Sequence, residues 1–340
     1  MKVYFFSEGS EHNRFILDLI KEIRKYPDIE IFLISKDKDN ELNNLFGKNQ
    51  IILNNDFELI NFLLKIESDY FITTTPEIGS PKFPRSKVLP KILRPKYVYL
   101  FHSLVSPNEM YKKNSFYNFD IIFTPNKTIS ENLKFLISKY TKVYESGYFL
   151  EGLKEYDSDS RLALFAPSWG NDSPIKDFEF IRRIKNDLNK DNISLVVRPH
   201  PMSFKNIEII NYLDKNFILD NEKNLTNLGK YKYLFTDKSG IALEYSLVTN
   251  RKFVYLDTPK KIKRKLSRQE RKINLIEDIM IEKLSISIEE FFNKSSLSNI
   301  EKKIEISEPS QSMFLEELIY PKSDYANTIA TILFGKRKVQ

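Results

Sequence analysis

Short apolar runs and longer stretches with apolar residues every three or four positions alternate along the chain. The runs Lys2–Phe6, Glu30–Ser35, Tyr70–Thr73, Tyr97–Phe101, Ile121–Thr124 and Lys142–Glu145 are rich in β-branched and aromatic residues and read as strands. Between them, His12–Arg24 places Phe15, Ile16, Leu19, Ile20 and Ile23 on one helical face. Asp56–Lys65 also reads as a helix, and Pro125-Asn126 caps another through about Ile137. Pro76–Lys96, with proline at 76, 81, 84, 90 and 95, reads as a long irregular connection or one holding a short helix. Gly147–Ser160 then turns polar and reads as a linker.

The alternation restarts beyond the linker. Leu162–Ala166, Ser194–Arg198, Phe217–Leu219, Tyr233–Thr236 and Lys252–Leu256 are expected strands. Ile175–Leu188, Gly240–Leu247, Ile273–Phe292 and Ser312–Phe334 are expected helices, the last broken or kinked at Pro321. Strands that alternate with helices form parallel, doubly wound sheets. The expected fold is therefore α/β, with Rossmann-like parallel-sheet domains at 1–150 and 151–340 facing a central cleft. The terminal helix is expected to pack back on the first domain. In such sheets ligands bind outside the carboxyl ends of the strands, here on both walls of the cleft.

Composition narrows the chemistry. With 41% hydrophobic and 29% charged residues, the 340-residue chain buries a full core and is not disordered. It has no cysteine, so disulfides and thiolate zinc sites are excluded. Its three histidines, His12, His102 and His200, argue against a histidine-rich metal site. No apolar run reaches the ~18–20 residues of a spanning helix, and the amino terminus does not match a signal peptide, so a cytoplasmic location is the default expectation.

The net charge of +7 favours an anionic partner: nucleic acid, an acidic membrane face or phosphorylated substrates. Lys260, Lys261, Lys263, Arg264, Lys265, Arg268, Arg271 and Lys272 are offset nearby only by Glu270. Lys82, Arg85, Lys87, Lys91, Arg94 and Lys96 are interleaved with proline and apolar residues. Either cluster reads as a solvated face or as a surface for the inner face of an anionic membrane. No nucleic-acid-binding module accompanies them, so nucleic acid is not an expected partner.

Three strand ends of the second half carry polar residues. Ala166-Pro167-Ser168-Trp169-Gly170 follows one strand, and Arg198-Pro199-His200-Pro201 follows the next. The two prolines there cannot extend a ladder and hold a rigid turn. The turn reads either as an anion site, with Arg198 and His200 presented together, or as a loop with a capping histidine and a surface arginine. Thr236-Asp237-Lys238-Ser239-Gly240 follows a third strand and opens a helix. Asp237 or Ser239 is placed to cap it, and the amides near Gly240 form a phosphate cradle or an ordinary capped turn. Glu244, one helical turn on, reads as an acceptor for ribose hydroxyls or as a surface glutamate. His102 ends a strand of the first half, across the cleft, and reads as a proton acceptor for an attacking hydroxyl or as a structural residue. His12, near a helix start, reads as structural. No Gly-x-Gly-x-x-Gly, Walker-type Gly-Lys-Ser/Thr or Gly-x-Ser-x-Gly occurs, which excludes the chemistries tied to those motifs.

These residues resemble the CDP-glycerol glycerophosphotransferases of teichoic-acid and capsule synthesis. The resemblance rests on Phe101-His102-Ser103, Phe165-Ala166-Pro167-Ser168-Trp169, Arg198-Pro199-His200-Pro201, Thr236-Asp237-Lys238-Ser239 and Phe253-Val254-Tyr255-Leu256-Asp257, over about residues 97–257. It implies a glycosyltransferase-B fold and metal-independent transfer of a polyol phosphate from a CDP-activated donor to a lipid-linked or saccharide acceptor, without a cofactor. On that template His102 matches the base, and Arg198 and His200 the donor pyrophosphate site. Ser239 and the helix start at Gly240 match the phosphate cradle, with Ser168, Asp237, Lys238 and Glu244 on the donor side. The alternatives are a nucleotide-sugar-dependent glycosyltransferase of the same fold and a non-enzymatic protein that binds anionic membrane or nucleic acid.

Overall fold

The structure, a computed structural model, describes residues 1–8, 13–36, 42–148, 157, 159–220, 227–259, 266–273, 275–294, 297–319 and 324–335. His12, most of the expected linker, residues 260–265 of the Lys260–Lys272 basic cluster and the expected kink at Pro321 lie outside the described residues.

The apolar runs assemble into two parallel sheets. The first contains β1 (Lys2–Ser7), β2 (Glu30–Ser35), β3 (Gln50–Ile52), β4 (Tyr70–Thr73), β5 (Lys96–Leu100), β6 (Ile121–Thr124) and β7 (Lys142–Glu145), in the order β3-β2-β1-β4-β5-β6-β7. The second contains β8 (Leu162–Phe165), β9 (Ser194–Val197), β10 (Ile218–Leu219), β11 (Tyr233–Thr236), β12 (Phe253–Tyr255) and β13 (Ser285–Ser287), in the order β10-β9-β8-β11-β12-β13. Strands covered on both faces are nearly all apolar, and Phe5, Leu33, Val98, Leu164, Val197 and Phe235 are fully buried. The strand order reverses between β1 and β4 in one sheet and between β8 and β11 in the other. Such switch points open a crevice at the strand ends, where ligands bind in doubly wound folds. The loops carrying Ser168 and Asp237–Gly240 leave the two strands that flank the second switch point.

The chain's last helix returns to the first sheet. Tyr325, Ala326, Ile329, Ala330 and Leu333 of Tyr325–Phe334 share one apolar cluster with Ile16, Leu19, Ile20 and Ile23 of the helix Asn13–Ile23. The Tyr325 hydroxyl donates to the Phe15 carbonyl at 3.3 Å, and the Tyr70 hydroxyl to the Leu333 carbonyl at 3.1 Å.

Several elements depart from the pattern reading. Ile273–Phe292 is not one helix: Ile276–Leu284 and Ile288–Phe292 flank β13, which pairs in parallel with β12. Ile286 is buried at the sheet edge and Ser287 starts the next helix with a reciprocal capping box to Glu290. Three residues between two amphipathic helices fit either period, so only pairing with β12 reveals the strand. Ser312–Phe334 resolves into helices Pro309–Leu318 and Tyr325–Phe334. β3 and the helix Ile207–Asn216 have no counterpart in the pattern reading, being short or burying little, with Leu213 the one buried residue of that helix.

The core is rich in tyrosine, which gives it an alkaline limit. Tyr97, Tyr99 and Tyr325 are buried, and burial pushes their hydroxyls and that of Tyr111 above the ordinary tyrosine range. A group whose folded-state pKa is raised contributes stability that is full below its unfolded value and is lost as pH rises through the folded value. The melting temperature is therefore expected to hold up to about pH 10 and to fall above it. Tyrosinate absorbance should appear together with unfolding, and tyrosinate growth in a fully folded protein would contradict the assignment.

Candidate functional site

The two halves meet at the carboxyl ends of β5 and β11. β5 ends on Leu100 and delivers Phe101-His102-Ser103. The His102 ring is half-buried, with its Nδ1 at 3.4 Å from the Tyr99 hydroxyl and its centroid 5.8 Å from that of Phe15. Phe101 stacks alongside at 6.5 Å. The aromatic walls lower the local dielectric, and Tyr99 restrains the ring's orientation.

Opposite stands the helix Gly240–Thr249, which begins where β11 ends. A Cβ built on Gly240 would lie 3.6 Å from Ser103 Oγ and 3.7 Å from a Val105 methyl carbon. The loop that carries His102 thus abuts the first turn of this helix. Ser239 occupies the N-cap with extended backbone and makes no side-chain capping bond, so its hydroxyl is not spent on the helix. The first-turn amides and the positive end of the helix dipole face the junction.

Tyr148, beyond the end of β7, donates its hydroxyl to Glu244 Oε1. Both residues are buried, and the Tyr148 ring lies 6.0 Å from Phe15. His102, Phe15, Tyr148 and Glu244 therefore form a continuous set across the halves. Glu244 is not a surface residue: it is 3% exposed and its carboxylate is held from the opposite half. Beside this set, Ser106 N donates to Glu277 Oε1 and Ile276 N donates to Ser106 Oγ, both at 2.9 Å. Neither Tyr148 nor Ser106 stands out by residue type or spacing, and only the contact across the cleft marks them.

Several residues expected to hold the donor are engaged elsewhere. Arg198 is not presented on its turn. It is 8% exposed, and its Nη2 contacts Asp220 Oδ2 at 2.6 Å, with the guanidinium over the Tyr231 ring. Tyr231 donates to the same carboxylate oxygen at 2.6 Å. Arg198 is thus a buried ion-pair partner that ties the end of β9 to the residue following β10. A buried guanidinium requires such a counter-charge, and the pairing with Asp220 accounts for this one without a bound phosphate.

Asp237 is also turned inward, at 1% exposure. Its carboxylate accepts the Ser168 amide at 2.9 Å, the Ser168 hydroxyl, and the Thr258 hydroxyl at 3.4 Å. Asp237 and Ser168 brace the two loops flanking the switch point against each other, and neither is positioned as a donor to phosphate. A buried carboxylate would repel an anion. Lys238 lies 3.5 Å from Asp278, so its charge is shared with that acid.

His200 keeps a place at the rim. Its Nδ1 accepts the Met202 amide at 3.1 Å and caps the short 3₁₀ turn Pro201–Lys205. That bond requires an unprotonated Nδ1, so the neutral ring carries its proton on Nε2. The Trp169 ring lies 6.2 Å away. The half-buried residues of these three strand ends are Ser168, Trp169, Gly170, His200, Lys238, Ser239 and Gly240.

Two facing Rossmann-like sheets with a site between them define a glycosyltransferase-B-like fold. Solved structures of similar fold agree with this. S. aureus MnaA in a co-structure with UDP is 14% identical, with a TM-score of 0.59 over 99% of this chain and 98% of that one. The UDP-GlcNAc 2-epimerase of Neisseria meningitidis bound to UDP-GlcNAc is 14% identical, with a TM-score of 0.58 over 99% and 100%. That of Methanocaldococcus jannaschii, in complex with UDP-GlcNAc and UDP, is 11% identical, with a TM-score of 0.56 over 98% and 99%. Likeness at this identity establishes the fold. No family model matches the chain, and no curated protein matches it.

These findings correct the resemblance drawn from the motifs. The similar solved structures include UDP-GlcNAc 2-epimerases, and none of those named above is a CDP-glycerol glycerophosphotransferase. Polyol-phosphate transfer, the CDP-activated donor and a role in teichoic-acid or capsule polymer synthesis are set aside with it. The motifs misled because proline-bounded strand ends and capped turns reflect how strands stop and helices start, and say little about which donor is bound. Among the described residues no helix is long and apolar enough to cross a membrane.

Proposed function

We propose that the chain is an enzyme acting on a UDP-sugar bound between its halves. The observation that carries this reading is the first turn of the helix Gly240–Thr249, uncapped by Ser239, lying at the second switch point beside the loop of His102, where a Cβ on Gly240 would stand 3.6 Å from Ser103 Oγ. A helix amino terminus favours a phosphate group, and a diphosphate there places the attached sugar toward His102. The UDP and UDP-GlcNAc of the similar solved structures support a uridine nucleotide and an N-acetylated sugar.

The proposed roles are these. The first-turn amides and the Ser239 hydroxyl bind the diphosphate and stabilise the negative charge it gains when the bond from C1 of the sugar to the phosphate oxygen breaks. His200 and Lys238 add positive or hydrogen-bonding groups at the rim. His102 accepts a proton from the sugar, or from a hydroxyl that attacks it, as the nucleotide departs. Glu244 and Tyr148 join the two halves behind the site and set their spacing.

The test is a binding panel of UDP, UDP-GlcNAc, CDP and GDP by calorimetry and thermal shift, followed by nuclear magnetic resonance of the product mixture. A ligand at about 100 times its dissociation constant stabilises the protein by about 2.7 kcal/mol. Equal response to UDP, CDP and GDP, or none to any of the four ligands, overturns the reading. The variant Gly240→Ala gives a local check. Its Cβ meets only ordinary contacts and the backbone is not left-handed there, so the melting temperature is expected to stay put. UDP affinity is expected to fall about ten-fold, because the new methyl group narrows the seam between the first turn and the Ser103–Val105 loop, where the diphosphate is proposed to lie. Unchanged UDP affinity in this variant would move the diphosphate elsewhere.

A further inference from the structure

We propose that the loop leading into β5, residues 87–96, is a docking surface for an anionic lipid bilayer; this stands apart from the reading of the cleft. Ile92 is 91% exposed, Val88 66% and Leu93 38%. Three large aliphatic residues so exposed within one short loop need an explanation that isolated exposed residues do not. The loop is not a loose excursion. The Arg94 guanidinium turns back and donates from Nε to the Leu89 carbonyl at 2.7 Å and from Nη2 to the Lys87 carbonyl at 3.0 Å. The amides of Lys87 and Val88 donate to the Leu64 carbonyl at 3.2 and 3.3 Å, and Leu93 N donates to the Pro90 carbonyl at 3.0 Å. Pro90 and Pro95 stiffen it further. The apolar tip is held outward by a built scaffold, so little ordering cost is left for binding.

Charge selects the partner. Residues 81–96 contain no aspartate or glutamate. Arg85 is taken up by Asp120 at 2.9 Å and Lys82 by Glu8 at 3.4 Å. Lys87 and Lys91, exposed beside Val88 and Ile92, have no acidic partner among the described residues. A convex apolar tip between exposed lysines matches a bilayer surface, where the aliphatic side chains enter the acyl boundary and the ammonium groups stay at anionic headgroups. The loop sits where β5 begins, at the end of the sheet remote from the strand carboxyl ends. A docked molecule keeps its cleft open to water.

The experiment is flotation of the full chain with vesicles of equal parts phosphatidylglycerol and phosphatidylcholine, against vesicles of phosphatidylcholine alone. The protein is expected to float with the anionic vesicles only, and less as salt is raised. Lys87→Gln and Lys91→Gln are each expected to lower partitioning about five-fold, and Ile92→Asp about ten-fold or more. These side chains are exposed, so all three variants should melt as the parent does, which a thermal scan checks. The proposal is overturned if the protein does not float, if it floats equally with both vesicles, or if Ile92→Asp floats like the parent. It is also overturned if the parent is a dimer by light scattering that Ile92→Asp converts to monomer, since the tip would then be a protein interface.

Discussion

Replacing His102 with alanine is expected to slow turnover of the UDP-sugar by about 10²–10⁴-fold while leaving UDP affinity nearly unchanged. The separation follows from where the groups sit. The diphosphate is assigned to the helix start at Gly240 and to Ser239, on the second half of the molecule. His102 comes from β5 on the first half and touches Phe15, Tyr99 and Phe101. On the proposed reading it contributes to proton transfer and little to nucleotide binding. Calorimetry with UDP and a rate measured by product resonance would distinguish the two effects. A variant that loses binding and turnover in parallel would make His102 structural, and one that keeps both would remove it from the chemistry. Tyr99→Phe is a useful companion: it removes the hydroxyl at 3.4 Å from His102 Nδ1 and should lower the rate with a smaller effect than loss of the imidazole.

Asp220→Ala is expected to destabilise the fold by about 3–5 kcal/mol, the largest stability effect anticipated for a single substitution here. The Asp220 carboxylate is 8% exposed and receives both Arg198 and Tyr231 at 2.6 Å. Its removal leaves the Arg198 guanidinium in the interior without its counter-charge. Removing charge from both partners, as in Arg198→Met with Asp220→Asn, should cost much less than Asp220→Ala alone, because a buried ion pair is weak net stabilisation against its desolvation. The same experiment decides between two roles for Arg198. As a fold element, its replacement lowers the melting temperature and leaves the UDP affinity of the folded protein close to that of the parent. As a phosphate ligand, it would do the reverse. Denaturant titration combined with calorimetry reads both.

Much of the architecture is legible in the chain. β1, β2, β4, β6 and β11 stand out because parallel strands buried on both faces are continuous apolar runs, and Asp56–Lys65 because Asn55 caps it and accepts the Glu58 amide at 2.9 Å. β13 is not legible, because its three residues acquire their meaning from pairing with β12. The polar strand ends were visible as candidates, since proline and glycine mark where strands stop. Their division of labour was not. Arg198 and His200 are separated by one residue, yet one turns into the core and the other caps a turn at the rim. Asp237 and Ser239 part in the same way.

Local sequence determined the periods of burial, the strand stops and helix starts, and hence two α/β halves with polar loops at their strand ends. The tertiary structure decided which of those loops face one another and which charges are paired inside. Periodicity and capping act over a few residues and leave a trace at that range. The partner of Arg198 lies 22 residues along the chain, and that of Tyr148 lies 96 along. Such pairs form only because the strand order brings their loops together, and the order of the strands is a property of the folded sheets and not of any stretch of the chain.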